Sequence, residues 1–122
     1  MSHFFDSSAI IEMINNPNIE LASKDKSIIT NALHIGEVYY YFLKEHNKTT
    51  ADFWMRELEF ELIEPELAIS LEAAQFKFEH RNIHFSYIDC IGYISALKNK
   101  LIFLTKDKDF SGFENVEFVK DV

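Results

Sequence analysis

The sequence predicts an α/β fold, with a parallel sheet of four to five strands and helices on both of its faces. Short apolar runs that suit strands alternate along the chain with stretches whose apolar residues recur every three or four positions, as in helices. The run at residues 101–104 is apolar throughout, which is typical of a strand buried on both faces of a parallel sheet. Regular alternation of strands and helices favours right-handed βαβ crossovers, and these produce a parallel sheet.

Length and composition indicate one globular domain. The 122 residues suffice for one hydrophobic core but not for two, so we expect a single domain spanning residues 1–122. Hydrophobic residues make up 48% of the chain, which excludes a disordered protein. Cys90 is the only cysteine, which excludes an internal disulfide and suits a reducing compartment. With no signal peptide and no apolar run of the roughly 20 residues that span a membrane, we expect a cytoplasmic protein without a membrane partner.

Charge restricts the possible nucleic-acid partners. The formal net charge of -8 argues against unassisted, non-specific binding to nucleic acid, because lysine and arginine normally drive phosphate binding. Residues 76–108 nevertheless contain six basic and three acidic side chains. This local basic excess either forms a rim that faces a polyanion or is an ordinary solvated helix face.

The first strand is predicted at residues 3–5, and Asp6 follows it at the carboxyl end. The Ser7-Ser8 pair can cap a helix that ends at the Asn-Asn-Pro-Asn stretch of residues 15–18. A short helical turn is then expected at residues 19–22. Asp6 has an ordinary alternative role, because an acid near a helix N-terminus interacts favourably with the helix dipole.

A second strand is predicted at residues 27–30, and a long helix at residues 32–45. On this helix Glu37 shares a stripe with the apolar residues Leu33 and Tyr41. An acid inside an apolar stripe is unexpected. It either serves a site or lies at the edge of the buried face and reaches water.

A third helix, which carries Trp54, leads to a third strand at residues 60–63. The helix after it is predicted to have Pro65 in its first turn and to end near residues 80–82. Four apolar residues at helical spacing are expected to form its buried side, namely Leu67, Leu71, Ala74 and Phe78. We assign no chemistry to this part of the chain, because such apolar stripes usually belong to the core.

The last helix is predicted to begin after Ser86 and to continue to Lys100. Asp89, three residues after Ser86, completes a capping-box pattern, which is an ordinary structural role for this acid. The fourth strand follows at residues 101–104, and a final edge strand is expected at residues 116–119.

Four acidic residues fall where strands end or helices begin, and they are Asp6, Glu37, Asp89 and Asp107. The carboxyl ends of parallel strands share one edge of the sheet, where ligands bind in open α/β folds, so we expect these acids to meet there. Four carboxylates remain ionised together only if a cation sits among them. Oxygen donors without His or Cys suit one or two Mg²⁺ or Mn²⁺ ions better than zinc. Such ions activate water and stabilise charge on phosphate, which indicates phosphodiester hydrolysis.

Four segments together resemble the signature blocks of the PIN domain family, in the same order and at similar separations. They are Phe4–Ser8, Ala32–Tyr40, Phe85–Cys90 and Phe103–Phe110. Spacing alone would leave coincidence open, since the chain has 20 acidic residues. The resemblance implies a three-layer α/β/α sandwich and a Mg²⁺- or Mn²⁺-dependent endoribonuclease, most often the toxin of a VapC-type toxin–antitoxin pair. It also implies homodimers and a protein antitoxin that covers the active site.

The resemblance assigns roles residue by residue. The metal-binding and catalytic acids of the family match Asp6, Glu37, Asp89 and Asp107. The further acid that joins the metal through water matches Asp109, and the supporting hydroxyl residues match Ser7 and Thr105. Two residues depart from the family pattern, Lys106 in place of a small residue and Cys90 in place of alanine. Lys106 either crowds the pocket or, like Lys108, contacts RNA phosphate.

Other functions compete with this interpretation. A phosphorylatable signalling receiver would carry an aspartate at the end of its third strand, where this chain has Leu-Ile-Glu-Pro at residues 62–65. A PIN-like module that binds a partner with little turnover is disfavoured by the complete acid set, since repelling carboxylates serve no purpose without catalysis. A PIN nuclease of RNA processing stays open, because nothing in the sequence separates it from a toxin.

Overall fold

The sheet has five strands, all parallel, in the computed structural model, which describes residues 2–16 and 27–120. In chain order they are β1 (His3–Phe5), β2 (Ile28–Thr30), β3 (Phe60–Leu62), β4 (Ile102–Thr105) and β5 (Val116–Phe118). Each predicted strand is therefore present, with its ends shifted by one residue at most. The helical turn expected at residues 19–22 lies outside the described residues.

Helices fill the connections between the strands. They are α1 (Ser7–Asn15), α2 (Ala32–Glu45), α3 (Lys48–Glu57), α4 (Leu67–Glu79) and α5 (Tyr87–Lys98). Helix α5 stops before the predicted Lys100, because that residue adopts a left-handed backbone conformation with φ of 56°. A 3₁₀ turn, Lys108–Phe110, follows β4. Within residues 2–16 and 27–120, no helix has the length and apolar character needed to cross a membrane.

Strand β1 lies at the centre of the sheet, whose strand order is β3-β2-β1-β4-β5. Phe5 of β1 pairs with Leu104 of β4, so the carboxyl ends of these two strands lie side by side, with Asp6 after β1 and Thr105 at the end of β4. Strand β5 is at the edge, as predicted. The register therefore brings the acids that follow β1 and β4 to the same edge of the sheet.

Alternate residues of the two central strands enter separate hydrophobic cores on opposite faces of the sheet. Phe4 and Phe103 pack with residues of α4 and α5 on one face. Phe5 and Leu104 pack with residues of α1, α2 and α3 on the other. Successive side chains of a strand point to opposite faces, so an apolar run without alternation fills both cores. The result is a three-layer α/β/α sandwich, as predicted.

Two helix starts differ from the predicted ones. Helix α1 is capped by Asp6 rather than by the Ser7-Ser8 pair, because the Asp6 carboxylate accepts the backbone N–H of the next residue. Pro65 precedes α4 rather than lying in its first turn. The residue after it, Glu66, has an extended backbone and occupies the N-cap position, so the helix begins only at Leu67.

The buried face of α2 differs from the predicted stripe by one position. Leu33 is 41% exposed and Glu37 is only partly buried. The residues of this helix that enter the core are His34, Val38 and Phe42. Glu37 therefore lies beside the core rather than within it, which leaves its carboxylate accessible.

The buried face of α4 also differs from the prediction. Ile69 and Ala73 face the core, whereas the four residues predicted to be buried there, Leu67, Leu71, Ala74 and Phe78, are exposed. This helix has apolar residues on more than one side, so helical periodicity does not identify which side is buried.

Candidate active site

Asp6 is the most constrained acid at the carboxyl edge of the sheet, with only 2% of its surface exposed. Its Oδ1 accepts the backbone N–H of Ser7 at 2.9 Å. Its Oδ2 accepts hydrogen bonds from Ser8 Oγ at 3.0 Å and from Thr105 Oγ1 at 2.7 Å. These three donors stabilise the ionised carboxylate and hold it in one orientation.

Ser7 links Glu37 to Asp6 by forming a hydrogen bond with each of them. The Ser7 hydroxyl donates to Glu37 Oε1 at 2.9 Å, while its backbone N–H binds Asp6. A single residue at the start of α1 thus positions acids from two different elements. The supporting role of Ser7 stays a prediction; in the fold its hydroxyl contacts Glu37 and its backbone N–H contacts Asp6.

Asp89 combines its predicted capping role with proximity to the other acids. Its backbone N–H donates to Ser86 Oγ at 3.0 Å, and its Oδ2 accepts the Ser86 N–H at 3.2 Å, which completes the capping box. Burial and then the negative charges of Asp6 and Glu37 raise the pKa of Asp89 from 3.8 to about 6, although its hydrogen bonds to Ser86 act in the opposite direction. The shift indicates that three carboxylates share one electrostatic environment.

Asp107 is linked to Asp6 through Thr105. Thr105 Oγ1 accepts the Asp107 backbone N–H at 3.0 Å and donates to Asp6 Oδ2. Asp107 Oδ1 accepts the backbone N–H of Asp109 at 2.9 Å and caps the 3₁₀ turn. The Asp109 side chain is exposed, at the outer side of this turn. The structure therefore draws Asp6, Glu37 and Asp89 together and leaves Asp107 and Asp109 adjacent to them.

The two lysines predicted to contact RNA lie at the rim. Lys106 Nζ forms an ion pair with Glu12 Oε2 of α1 at 2.7 Å, and its backbone N–H donates to Ser8 Oγ. Lys108 Nζ lies 4.1 Å from the centre of the Phe118 ring. Both residues are exposed, and the ion pair holds the Lys106 side chain against Glu12 of α1.

His34 is a contact of Asp6 that the sequence analysis missed. The side chain is fully buried, and its Nε2 lies 3.3 Å from Asp6 Oδ1. Its Nδ1 lies 2.7 Å from Asn31 Oδ1, the same oxygen that accepts the His34 backbone N–H at the start of α2. Because Asn31 Oδ1 is an acceptor, Nδ1 carries a proton in this arrangement. Among the described residues, Nε2 has no hydrogen-bond partner of good geometry, although it lies beside Asp6 Oδ1.

Gly92 of α5 provides the space for this histidine. A Cβ atom at that position would lie 2.6 Å from His34 Nε2 and 2.7 Å from Cε1. The sequence contained one signal for the role of His34, namely that this polar residue lies four positions before Val38 on the buried side of α2. Recognising it required the correct helix face.

The arrangement fits a hydrated hard ion better than a closed metal cage. In the described part of the chain, no three His, Cys, Asp or Glu side chains are grouped tightly enough to hold an ion by themselves. The site acids nevertheless supply only oxygen donors. The pKa of Asp89 is raised first by burial and then by the charges of Asp6 and Glu37, and a cation would offset these charges. Mg²⁺ typically keeps several waters and binds through one or two carboxylates, which matches this open set of acids.

Comparison with known proteins gives one family and several similar folds. The model of the PIN domain family matches residues 3–116. No curated protein is similar enough in sequence to count as a match.

Three solved structures resemble the fold. A toxin–antitoxin complex from Klebsiella pneumoniae is 17% identical with a TM-score of 0.74, covering 99% of this chain and all of the other. VapC20 from Mycobacterium tuberculosis, described as a sarcin–ricin loop cleaving toxin, is 17% identical with a TM-score of 0.75, covering 98% and 100% of the two chains. VapBC2 from Rickettsia felis, bound to a promoter DNA fragment, is 16% identical with a TM-score of 0.73 and the same coverage. At these identities the similarity concerns the fold.

Proposed function

The chain belongs to the PIN domain family, and on that basis we propose that it is a metal-dependent endoribonuclease and the toxin of a type II toxin–antitoxin pair. The observation that carries the proposal is the shared environment of Asp6, Glu37 and Asp89 at the carboxyl edge of the sheet. An ordinary N-cap or capping box explains one acid at a time. It does not explain why the pKa of Asp89 is raised by burial together with the charges of Asp6 and Glu37, which lie on two other elements.

The metal would be held by Asp6, Glu37, Asp89 and Asp107, with Asp109 joining through water. Their carboxylate oxygens suit one or two Mg²⁺ or Mn²⁺ ions. When bound, a divalent ion lowers the pKa of its water and neutralises charge that develops on the phosphate.

The residues of the chain have separate tasks in this proposal. Thr105 and Ser8 hold Asp6 in a fixed orientation, and Ser7 holds Glu37. Glu37, which is only partly buried, orients the attacking water. Such fixed orientation lowers the entropic cost of bringing water and phosphate together.

The rim lysines supply positive charge beside the site, although the chain as a whole is acidic. Lys106 and Lys108 are exposed beside Asp107, where they can contact RNA phosphates on either side of the cleaved bond. Lys106 would exchange its ion pair with Glu12 for a phosphate, a small cost because exposed ion pairs contribute little to stability.

A protein antitoxin and a homodimer complete the proposal. The similar folds from Klebsiella pneumoniae and Rickettsia felis are those of toxin–antitoxin assemblies, which supports an antitoxin as partner. The chain would act in the cytoplasm as a single PIN-like domain over residues 1–122.

The proposal is tested by incubating the purified chain with a mixed pool of single-stranded RNA in Mn²⁺, Mg²⁺ or EDTA. We expect cleavage in either metal, none in EDTA and none with Asp6→Asn. Asp52→Asn is the matched control, because Asp52 lies on α3 and binds Lys48 and Tyr39 rather than the site acids. Cleavage that persists in EDTA, or in Asp6→Asn, would refute the assigned chemistry.

Metal binding is measured separately by calorimetric titration with Mn²⁺. We expect binding to be lost when Asp6→Asn and Asp89→Asn are combined and to be retained in Asp52→Asn. Metal binding without any RNA cleavage would favour the alternative of a PIN-like module that binds a partner with little turnover. Cleavage confined to one structured RNA, with no effect of a cognate antitoxin, would favour a PIN nuclease of RNA processing.

A further inference from the structure

We infer that Glu12 is a positioning residue that holds the Lys106 ammonium and competes for it with RNA phosphate. The inference rests on the proposed function and deepens it, since Lys106 is one of the two lysines assigned there to phosphate. Lys106 Nζ lies 2.7 Å from Glu12 Oε2, although the two residues are 94 positions apart in the chain. The ion pair joins α1 to the turn after β4, beside the candidate active site.

The backbone at Lys106 is fixed by contacts other than this ion pair. Its N–H donates to Ser8 Oγ at 3.0 Å, and the N–H of Asp107 donates to Thr105 Oγ1 at 3.0 Å. Ser8 and Thr105 also donate to the Asp6 carboxylate, so hydrogen bonds hold this part of the turn to the site. The ion pair is therefore not needed to position the acids. Its effect is on the direction of the Lys106 side chain.

One face of α1 contacts both the backbone and the ammonium of Lys106. Ser8 and Glu12 are four positions apart, so they are neighbours on the same face of this helix. Ser8 accepts the backbone N–H, and Glu12 accepts the ammonium. Because Asp6 is the N-cap of α1, Glu12 lies about one turn farther from it than Ser8 does. The Lys106 side chain therefore extends along α1, away from the start of the helix.

Lys108, the other rim lysine, is held in a different way. Its Nζ lies 4.1 Å from the centre of the Phe118 ring. A ring attracts a cation without neutralising it, so this ammonium can contact a phosphate while it stays above the ring. A carboxylate is an anionic acceptor for an ammonium, as a phosphate is. Glu12 therefore competes with RNA for Lys106, whereas Phe118 does not compete for Lys108.

The exposure of the two side chains determines how large this competition can be. The Lys106 side chain is 57% exposed and that of Glu12 19%, so the lysine can turn towards a ligand in solvent. A five-fold change in affinity corresponds to about 1 kcal/mol, which is the upper end of the range for an exposed ion pair. Removing the competing carboxylate should therefore strengthen RNA binding about two- to five-fold.

The test measures the affinity of the full chain for a fluorescent single-stranded RNA oligonucleotide, by anisotropy in Mg²⁺. Every protein carries Asp6→Asn, so that the RNA is not cut. We expect Glu12→Gln in this background to bind RNA about two- to five-fold more tightly. Glu57→Gln is the matched control. It removes the same charge from an exposed residue at the end of α3, just before β3 begins at the opposite edge of the sheet, and should leave the affinity unchanged.

A double variant separates competition for Lys106 from simple repulsion of RNA by the Glu12 charge. Lys106→Gln alone should weaken RNA binding, because it removes a phosphate contact. If Glu12 acts through Lys106, Glu12→Gln should give no gain once Lys106→Gln is present. In the chain that keeps Asp6, Glu12→Gln should lower KM for RNA by the same factor and leave kcat unchanged, because other hydrogen bonds hold the acids. Circular dichroism melts establish that each variant is folded.

Three results would overturn the inference. Unchanged or weaker RNA binding in Glu12→Gln would show that the carboxylate does not compete with phosphate. An equal gain with and without Lys106→Gln would assign the effect to the charge of Glu12 alone. RNA binding by none of the proteins would exclude both the inference and the RNA substrate. The expected changes in affinity without any cleavage by wild type would instead refute the nuclease function and support the role of Glu12.

Discussion

Asp89→Asn is expected to stabilise the metal-free protein at neutral pH while abolishing RNA cleavage. In the fold, burial and the charges of Asp6 and Glu37 raise the pKa of Asp89 to about 6, whereas its ordinary value is 3.8. At pH values between these two pKa values, the Asp89 carboxyl keeps its proton in the folded chain but has released it in the unfolded chain. Folding stability therefore falls as the pH rises from about 4 to about 6, and the full penalty is present above this range.

The size of this effect follows from the difference between the two pKa values. Such a difference corresponds to about 3 kcal/mol, and solvent screening at this partly exposed side chain reduces it to about 1–2 kcal/mol. Asparagine has the same shape and keeps an oxygen that accepts the Ser86 N–H, so the capping box survives the change. The gain in stability should therefore be close to the penalty that wild type carries.

The assay is urea denaturation in EDTA at about pH 4 and about pH 7.5, followed by circular dichroism. We expect Asp89→Asn to gain about 1–2 kcal/mol over wild type at the higher pH and little at the lower. Asp52→Asn is a control of opposite sign, because a hydrogen bond from Lys48 and another from Tyr39 lower the pKa of Asp52. An equal gain for Asp89→Asn at both pH values, or a loss at neutral pH, would refute the electrostatic argument.

Two further predictions concern the groups around Asp6. Thr105→Val removes the hydroxyl between Asp6 and Asp107, so Mn²⁺ affinity measured by calorimetry should fall about ten-fold or more, and unchanged affinity would contradict this positioning role. Gly92→Ala forces a Cβ against the His34 ring and should cost about 1–3 kcal/mol in urea denaturation. Gly36→Ala on α2 meets nothing within 4 Å and should instead stabilise by about 0.5–1 kcal/mol, so equal effects at the two glycines would show that the His34 contact is not tight.

The strand–helix order and the strand-end acids were accessible from sequence because they depend on local patterns. The apolar residues 102–104 of β4 illustrate this, since a short apolar run is typical of a strand that lies inside a parallel sheet with helices on both faces. The capping box of Asp89 is equally local, since it needs only Ser86 three residues earlier. The roles of the four acids in metal binding stay a prediction.

The buried faces of α2 and α4 could not be inferred in the same way. Each helix has apolar residues on two sides, and periodicity does not say which side the rest of the chain will cover. In α2 the side that packs against the core carries His34, and only that packing brings its ring to Asp6 and over Gly92. In α4 the stripe expected in the core is exposed instead.

Local sequence thus sufficed for the elements, their parallel order and the edge at which the acids gather, because neighbouring residues decide helix and strand formation. The environment of each acid was decided by the packed fold. Three features depend on residues far apart in the chain: the His34 contact with Asp6, the burial and the neighbouring charges that raise the pKa of Asp89, and the exposure of Leu67, Leu71 and Phe78 on α4. Burial and charge interactions act through space, and no periodicity along the chain records which distant groups will meet.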